Sequence, residues 1–325
     1  MKVFLTGATG FLGTQIRRFL EEENIEYIAL SRSNKEDHRF IQGDLLEPET
    51  YASALSECDK VIHAAGEVAH DEESAQQMWK IHVRGTKALL QALKDNNSVQ
   101  RFVFLSTSGT IAVSEDSDYL GTELDTPPFP LIKKWPYYRA KLFAEQMIFD
   151  ELASRIKLIC LNPSLLLGPE DHKGDSLKPI QLFLDKQIPL SPSGGLSFTD
   201  VRDVAKTAIT ALSKGNDRSK YLLGSCNLKF HAFYQKLSRI SGVSAPLAPL
   251  PKQTHKVLGW FPKWKNIGET VGIDLQREDL ILAGHYWYVD SSRAKAELDW
   301  NPRDPLRTLE ESVHFLQQDR FADFL

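Results

Sequence analysis

Tyr137 and Lys141 stand four residues apart in the run Trp135-Pro136-Tyr137-Tyr138-Arg139-Ala140-Lys141. On a helix begun near Pro136, that spacing puts both side chains on one face. A free phenol titrates near 10 and is a poor acid or base at neutral pH; a cation held close to it lowers that value toward the working range. Tyr138 is not at that spacing from Lys141 and makes a poor substitute. Upstream, Arg101 to Leu105 reads as a strand that runs into three hydroxyls, Ser106-Thr107-Ser108. Open parallel sheets carry their active sites at such strand ends, although hydroxyls there also satisfy the last backbone groups of a strand.

The elements that must position these groups start at residue 1. Lys2 to Thr6 is a short apolar strand. It enters Gly7-Ala8-Thr9-Gly10-Phe11-Leu12-Gly13, and a helical stripe of Ile16, Phe19 and Leu20 follows. Gly7 permits a sharp turn, Gly10 lets a phosphate approach the backbone, and Gly13 lets the helix sit close to the strand. The amides and positive dipole at the helix start then face a dinucleotide pyrophosphate. Without a ligand the same stretch is merely a glycine-rich turn. Tyr27 to Leu30 makes a second strand that ends in Ser31-Arg32. An acidic residue at that place would bind the ribose hydroxyl of NAD, whereas arginine suits the 2′-phosphate of NADP. Arg32 therefore predicts NADP(H) over NAD(H), its alternative being a solvated loop charge. Lys60 to His63 is a strand running into Ala64-Ala65-Gly66, small enough to pass beneath a bound cofactor. His63 itself is expected to be structural.

In this order the motifs resemble those of the extended short-chain dehydrogenase/reductases, within the NAD-dependent epimerase/dehydratase superfamily. The wording is most like dihydroflavonol-reductase-like and 3β-hydroxysteroid-dehydrogenase-like members. Shared features are the G-x-x-G-x-x-G turn, His63-Ala64-Ala65, Y-x-x-x-K, Asn162-Pro163-Ser164 before Gly168-Pro169, Gly194 to Ala205, and Asp290 to Pro302. The resemblance implies a doubly wound, Rossmann-like α/β sheet with a smaller C-terminal substrate lobe. Residues 1–168, with 198–225 returning, would bind the dinucleotide, and 169–197 with 226–325 would form the lobe. It further implies a catalytic set of Thr107, Tyr137 and Lys141, with Ser108 as the fallback hydroxyl and a substrate contact. Asp44 and Leu45 would touch the adenine, although Asp44 could equally cap the next helix. Pro163 and Ser164 would lie against the nicotinamide, Asn162 would contact substrate, and Asp203 would order the chain. Two departures stand out: His82 replaces an asparagine of the family pattern, and Asp299 a glycine.

Composition narrows the partners. The chain has 325 residues, a 42% apolar and 25% charged composition and a net charge of −4, which gives no electrostatic case for nucleic acid. No apolar run is long enough for a membrane span. With the first strand beginning at once, no leader is expected and the cytoplasm is the expected compartment. Cys58, Cys160 and Cys226 read as buried reduced thiols, not as a metal site or disulfides. Residues 245–272 are rich in proline and carry Trp260, Phe261 and Trp264. They suit a ring-bearing substrate, and equally lobe packing, a homodimer or a membrane-facing patch. The leading expectation is an NADP(H)-dependent oxidoreductase that interconverts a carbonyl and a secondary alcohol. A nucleotide-sugar epimerase or dehydratase with tightly bound NAD, and a non-catalytic NAD(P)-binding regulator, are the alternatives.

Overall fold

A computed structural model describes residues 1–33, 36–172, 174, 176–252 and 277–322. The aromatic stretch Trp260, Phe261 and Trp264 lies outside the described residues. Among the described residues ten strands occur in chain order: β1 (Lys2–Thr6), β2 (Glu26–Ser31), β3 (Phe40–Gln42), β4 (Lys60–His63), β5 (Arg101–Leu105), β6 (Lys157–Pro163), β7 (Leu165–Leu167), β8 (Gly195–Asp200), β9 (Ser219–Leu223) and β10 (Cys226–Lys229). Seven of them form one sheet in the order β3-β2-β1-β4-β5-β6-β9, and every pairing in it is parallel. This is the doubly wound architecture expected.

A parallel sheet covered on both faces needs strands that are apolar throughout, and β5 is buried at all five positions. Val103 and Leu105 point to one face, where Ile16 and Leu20 of helix Phe11–Glu22 and Val204 and Ala208 of helix Val201–Thr210 pack. Phe102 and Phe104 point to the other, against Leu89 and Leu93 of helix Gly85–Lys94 and Ala144 and Ile148 of helix Pro136–Glu151. The chain order reverses between β1 and β4, so a crevice opens at their carboxyl ends.

The second sheet, in the order β10-β8-β7, has its own core of Leu167, Phe183, Phe198, Phe233, Leu309 and Val313. None of its strands was anticipated: β7 has three residues and β10 has four, too short to display an alternating pattern. Cys58 and Cys160 are buried and Cys226 is half-buried; all three are free. No helix among the described residues is long and apolar enough to cross a membrane.

Candidate active site

A cavity of about 1130 Å³ runs along the carboxyl ends of the large sheet and on to the small one. At one end is the glycine turn. Gly7 has φ +77°, and a Cβ there would lie 2.5 Å from the Ala64 carbonyl carbon; a Cβ on Gly13 would lie 2.0 Å from the Gly7 oxygen. Turn, helix and β4 are thus packed backbone to backbone. A Cβ on Gly10 would meet only the Gly7 oxygen, at 3.4 Å, and would otherwise project into open space. Helix Phe11–Glu22 starts there with no capping side chain and no acidic residue in its first turn. Its first amides therefore remain free for an anion. Gly7, Thr9, Gly10, Phe11, Leu12 and Gly13 all line this end, joined by Ala64, Ala65 and Gly66 beyond β4. Arg32 is exposed at the rim beyond β2. Asp44 and Leu45 also line the cavity, and Asp44 Oδ1 accepts from the Leu46 amide at 2.9 Å, so its local turn and its place in the wall coexist.

Thr107, Ser108, Tyr137, Lys141, Pro163 and Ser164 come together in the middle of the cavity wall. Burial pushes the Tyr137 phenol up to about 12, against a downward pull from the Thr107 hydroxyl that hydrogen-bonds to it. The lowering expected beside Lys141 is thus outweighed by burial. Lys141 is buried, and its Nζ donates to the Leu105 carbonyl at 2.7 Å. Its own value falls to about 8, because burial disfavours the ammonium more than Cys160 and Glu145 support it. A neutral phenol is the form that can donate a proton.

Asn162 is a correction. It is fully buried and absent from the cavity wall. Its Nδ2 donates to the Thr107 carbonyl at 3.1 Å, Thr110 Oγ1 at 3.2 Å and Glu145 Oε2 at 3.0 Å. Glu145, also fully buried, accepts from Ser106 at 2.7 Å and pairs with Lys220. Asn162 therefore fixes the segment that carries Thr107, and its amide bonds within the wall instead of lining the cavity. Glu145 was not anticipated, although it lies four residues beyond Lys141, one turn further along the same helix.

Two histidines, His63 and His82, are buried behind Thr86. His63 accepts from Thr6 at Nδ1 (2.7 Å) and donates from Nε2 to Thr86 (3.0 Å), which itself donates to the His82 carbonyl. Burial drives it down to about 3, so it is a neutral structural link. His82 sits in a π-helical segment, Trp79–Arg84, between the α-helical Ala75–Met78 and Gly85–Lys94. Such segments often mark functional sites, and this one brings the imidazole edge-on to Tyr137 at 5.5 Å. Asp203 holds Arg303, its Oδ2 accepting from the backbone amide at 2.9 Å and its Oδ1 from Nε at 3.1 Å. The far end of the cavity is apolar, with Leu182, Ile188, Phe230, Tyr234 and Trp287 in its wall.

Residues 3–224 match the model of the NAD dependent epimerase/dehydratase family. The chain belongs to that family. Membership makes it an NAD(P)-dependent oxidoreductase of the extended short-chain dehydrogenase/reductase type. It is similar to a putative dihydroflavonol 4-reductase of Synechocystis sp., 26% identical over 98% of this chain and 95% of that one. It is also similar to a decarboxylating sterol-4-alpha-carboxylate 3-dehydrogenase of Dictyostelium discoideum, 29% identical over 74% and 77% of the two chains. Among solved structures, gox2253 superposes with a TM-score of 0.82 at 25% identity, covering 98% of each chain. The nicotinamide dinucleotide of the family fits the glycine-turn end, where open space at Gly10 meets an uncapped helix start.

Proposed function

We propose that this enzyme is an NADP(H)-dependent reductase that interconverts a carbonyl and a secondary alcohol on a ring-bearing substrate. The observation that carries the reading is the meeting of Thr107, Tyr137 and Lys141 midway between the glycine turn and the apolar end of one cavity. When bound, the nicotinamide supplies the hydride. The Thr107 and Tyr137 hydroxyls hold the substrate oxygen, and Tyr137, neutral at physiological pH, gives it the proton. Lys141 lies one turn further along the helix, and its ammonium offsets the negative charge left on the phenol. Holding the carbonyl in one orientation and stabilising its developing charge supply most of the acceleration.

The cofactor half would be the large sheet, residues 1–168 with 198–225. The remaining residues, built largely around the small sheet, would enclose the substrate. Arg32 at the rim beyond β2 supports NADP(H), since its guanidinium matches a 2′-phosphate. The stack of Tyr138 on Trp287, with ring centroids 4.9 Å apart, supports a flat or cyclic substrate. A panel of cyclic and acyclic ketones, followed by NADPH consumption with product identification, tests the reading. Turnover concentrated among the cyclic ketones is expected. NADPH consumption with none of them, or NADH strongly preferred, overturns it.

A further inference from the structure

Glu145 is fully buried, lies outside the cavity wall, and takes no part in the proton transfer described above. Tyr137, Lys141 and Glu145 follow one another at four-residue spacing on helix Pro136–Glu151, so they share one face, each a turn beyond the last. That face grips three consecutive residues at the end of β5. Lys141 Nζ donates to the Leu105 carbonyl at 2.7 Å, Ser106 Oγ donates to Glu145 Oε2 at 2.7 Å, and the Thr107 hydroxyl bonds to the Tyr137 phenol. Glu145 Oε2 also accepts from Thr110 Oγ1 at 3.2 Å and from Asn162 Nδ2 at 3.0 Å, and the same Nδ2 donates to the Thr107 carbonyl. One carboxylate oxygen thus gathers the residues on either side of Thr107 and, through Asn162, its backbone. The other oxygen, Oε1, pairs with Lys220 of β9.

Thr107 itself is extended, with φ −151° and ψ 149°. In an extended chain neighbouring side chains point to opposite sides. Tying Ser106 inward to Glu145 therefore turns the Thr107 hydroxyl outward, toward Tyr137 and the cavity. The core has no need of a charge here, because replacing a buried ion pair by well-packed apolar groups is often neutral or stabilising. An ionised carboxylate only accepts, so it takes all three donors at once and admits one arrangement of them. Resting on the reductase reading above, we propose that Glu145 is a positioning residue, which holds the Thr107 hydroxyl against the Tyr137 phenol through Ser106, Thr110 and Asn162 while Lys220 balances its charge.

The experiment uses the full chain with ¹³C-labelled threonine methyls, saturated with NADP⁺ and, separately, with NAD⁺. The Thr107 signal is identified by its loss in Thr107→Ser. Glu145→Gln keeps the shape of the side chain and turns a donor toward donors. It should move the Thr107 signal more than those of Thr86 and Thr308, which bond elsewhere. On the ketone of the panel above that is turned over fastest, kcat should fall by about tenfold or more with KM within about twofold, as a misplaced hydroxyl implies. In a Thr107→Val background the same change should lower kcat by less than about twofold, because the group it positions is already gone. Damage to the fold at large would instead multiply in both backgrounds. Lys220→Gln, at a half-buried site on β9, should move the same signal and lower kcat, and it decides the matter should Glu145→Gln not fold. An unmoved Thr107 signal in every folded variant, a loss of kcat that persists in full in the Thr107→Val background, or a raised KM at constant kcat overturns the proposal. A wild type that turns over no ketone would instead count against the reductase reading, and the Thr107 signal alone then decides the role of Glu145.

Discussion

The two ends of the cavity are made of different material. The cofactor end is a surface of backbone: Gly7, Gly10 and Gly13 leave no side chain between the β1 turn and the first amides of helix Phe11–Glu22. The other end, which the proposed reading gives to the substrate, is a surface of side chains, with rings from Tyr138 and Trp287 and apolar groups from Leu182, Ile188 and Phe230 in its wall. A backbone surface recognises what its ligands share, here phosphates, and leaves little room for variation. A side-chain surface can be rebuilt one residue at a time without disturbing the fold, which is how one architecture comes to serve many substrates.

The sharpest way to break that contrast is at Gly13. Gly13→Val places its Cβ 2.0 Å from the Gly7 oxygen, with no side chain able to move aside. Overpacking of this kind costs on the order of 3 kcal/mol or more. Nicotinamide dinucleotide affinity, read by fluorescence titration, should fall by at least about a hundredfold or the chain should not fold. Trp287→Phe at the other end should leave that affinity within about twofold while changing which ketones are accepted. Equal damage from both changes would dissolve the distinction. Next in size is Tyr137→Phe, which keeps the cavity and removes the proton. Turnover should drop by about 10²–10⁴ while dinucleotide affinity stays. Near-normal turnover in a working assay would remove Tyr137 from the chemistry.

The same contrast explains what could be read in advance. A backbone requirement is written as glycine at fixed spacing, so the turn was legible. Tyr137 and Lys141 were legible because helical spacing alone puts them on one face. Asn162 was not, because its residue type and its place at the end of β6 do not say whether the amide faces the cavity or the Glu145 network beneath it. Burial also outweighs the lowering expected for the phenol, and burial is a property of the assembled wall. The π-helical turn that aims His82 at Tyr137 has no signature in residue type.

Smaller effects sharpen the boundary between the two ends. Asn162→Leu removes the bonds that tie the Thr107 carbonyl to Glu145. Unfolding free energy should fall by about 1–3 kcal/mol, and kcat should fall by roughly the tenfold that a misplaced Thr107 hydroxyl implies, with KM nearly unchanged. A changed KM at constant kcat would return Asn162 to the substrate. At the cofactor rim, Arg32→Glu should raise the KM for NADPH by about tenfold or more through loss of a charge-assisted contact, and leave that for NADH unaltered. Equal shifts for both cofactors would make Arg32 a surface charge.

The smallest effect at neutral pH belongs to His82, where the two ends meet. Burial and the nearby Lys141 ammonium lower its imidazole from 6.5 to about 3, while Nε2 donates to the Glu67 carbonyl at 2.8 Å. The unfolded chain therefore binds a proton between about pH 6.5 and 3 that the folded chain refuses. Stability from this residue is complete above 6.5 and is lost as pH falls through that window, at up to about 1.4 kcal/mol per unit. His82→Asn, which restores the residue usual in the family motif, has no proton to bind. Urea unfolding at pH 7.5 should place the two proteins within about 1 kcal/mol, the size of one exchanged hydrogen bond. At pH 5 the wild type should have lost more stability than the variant, His63 contributing equally to both. Parallel losses in the two proteins would mean that His82 is protonated without cost in the folded chain, and that the wall around Tyr137 is wetter than its packing implies.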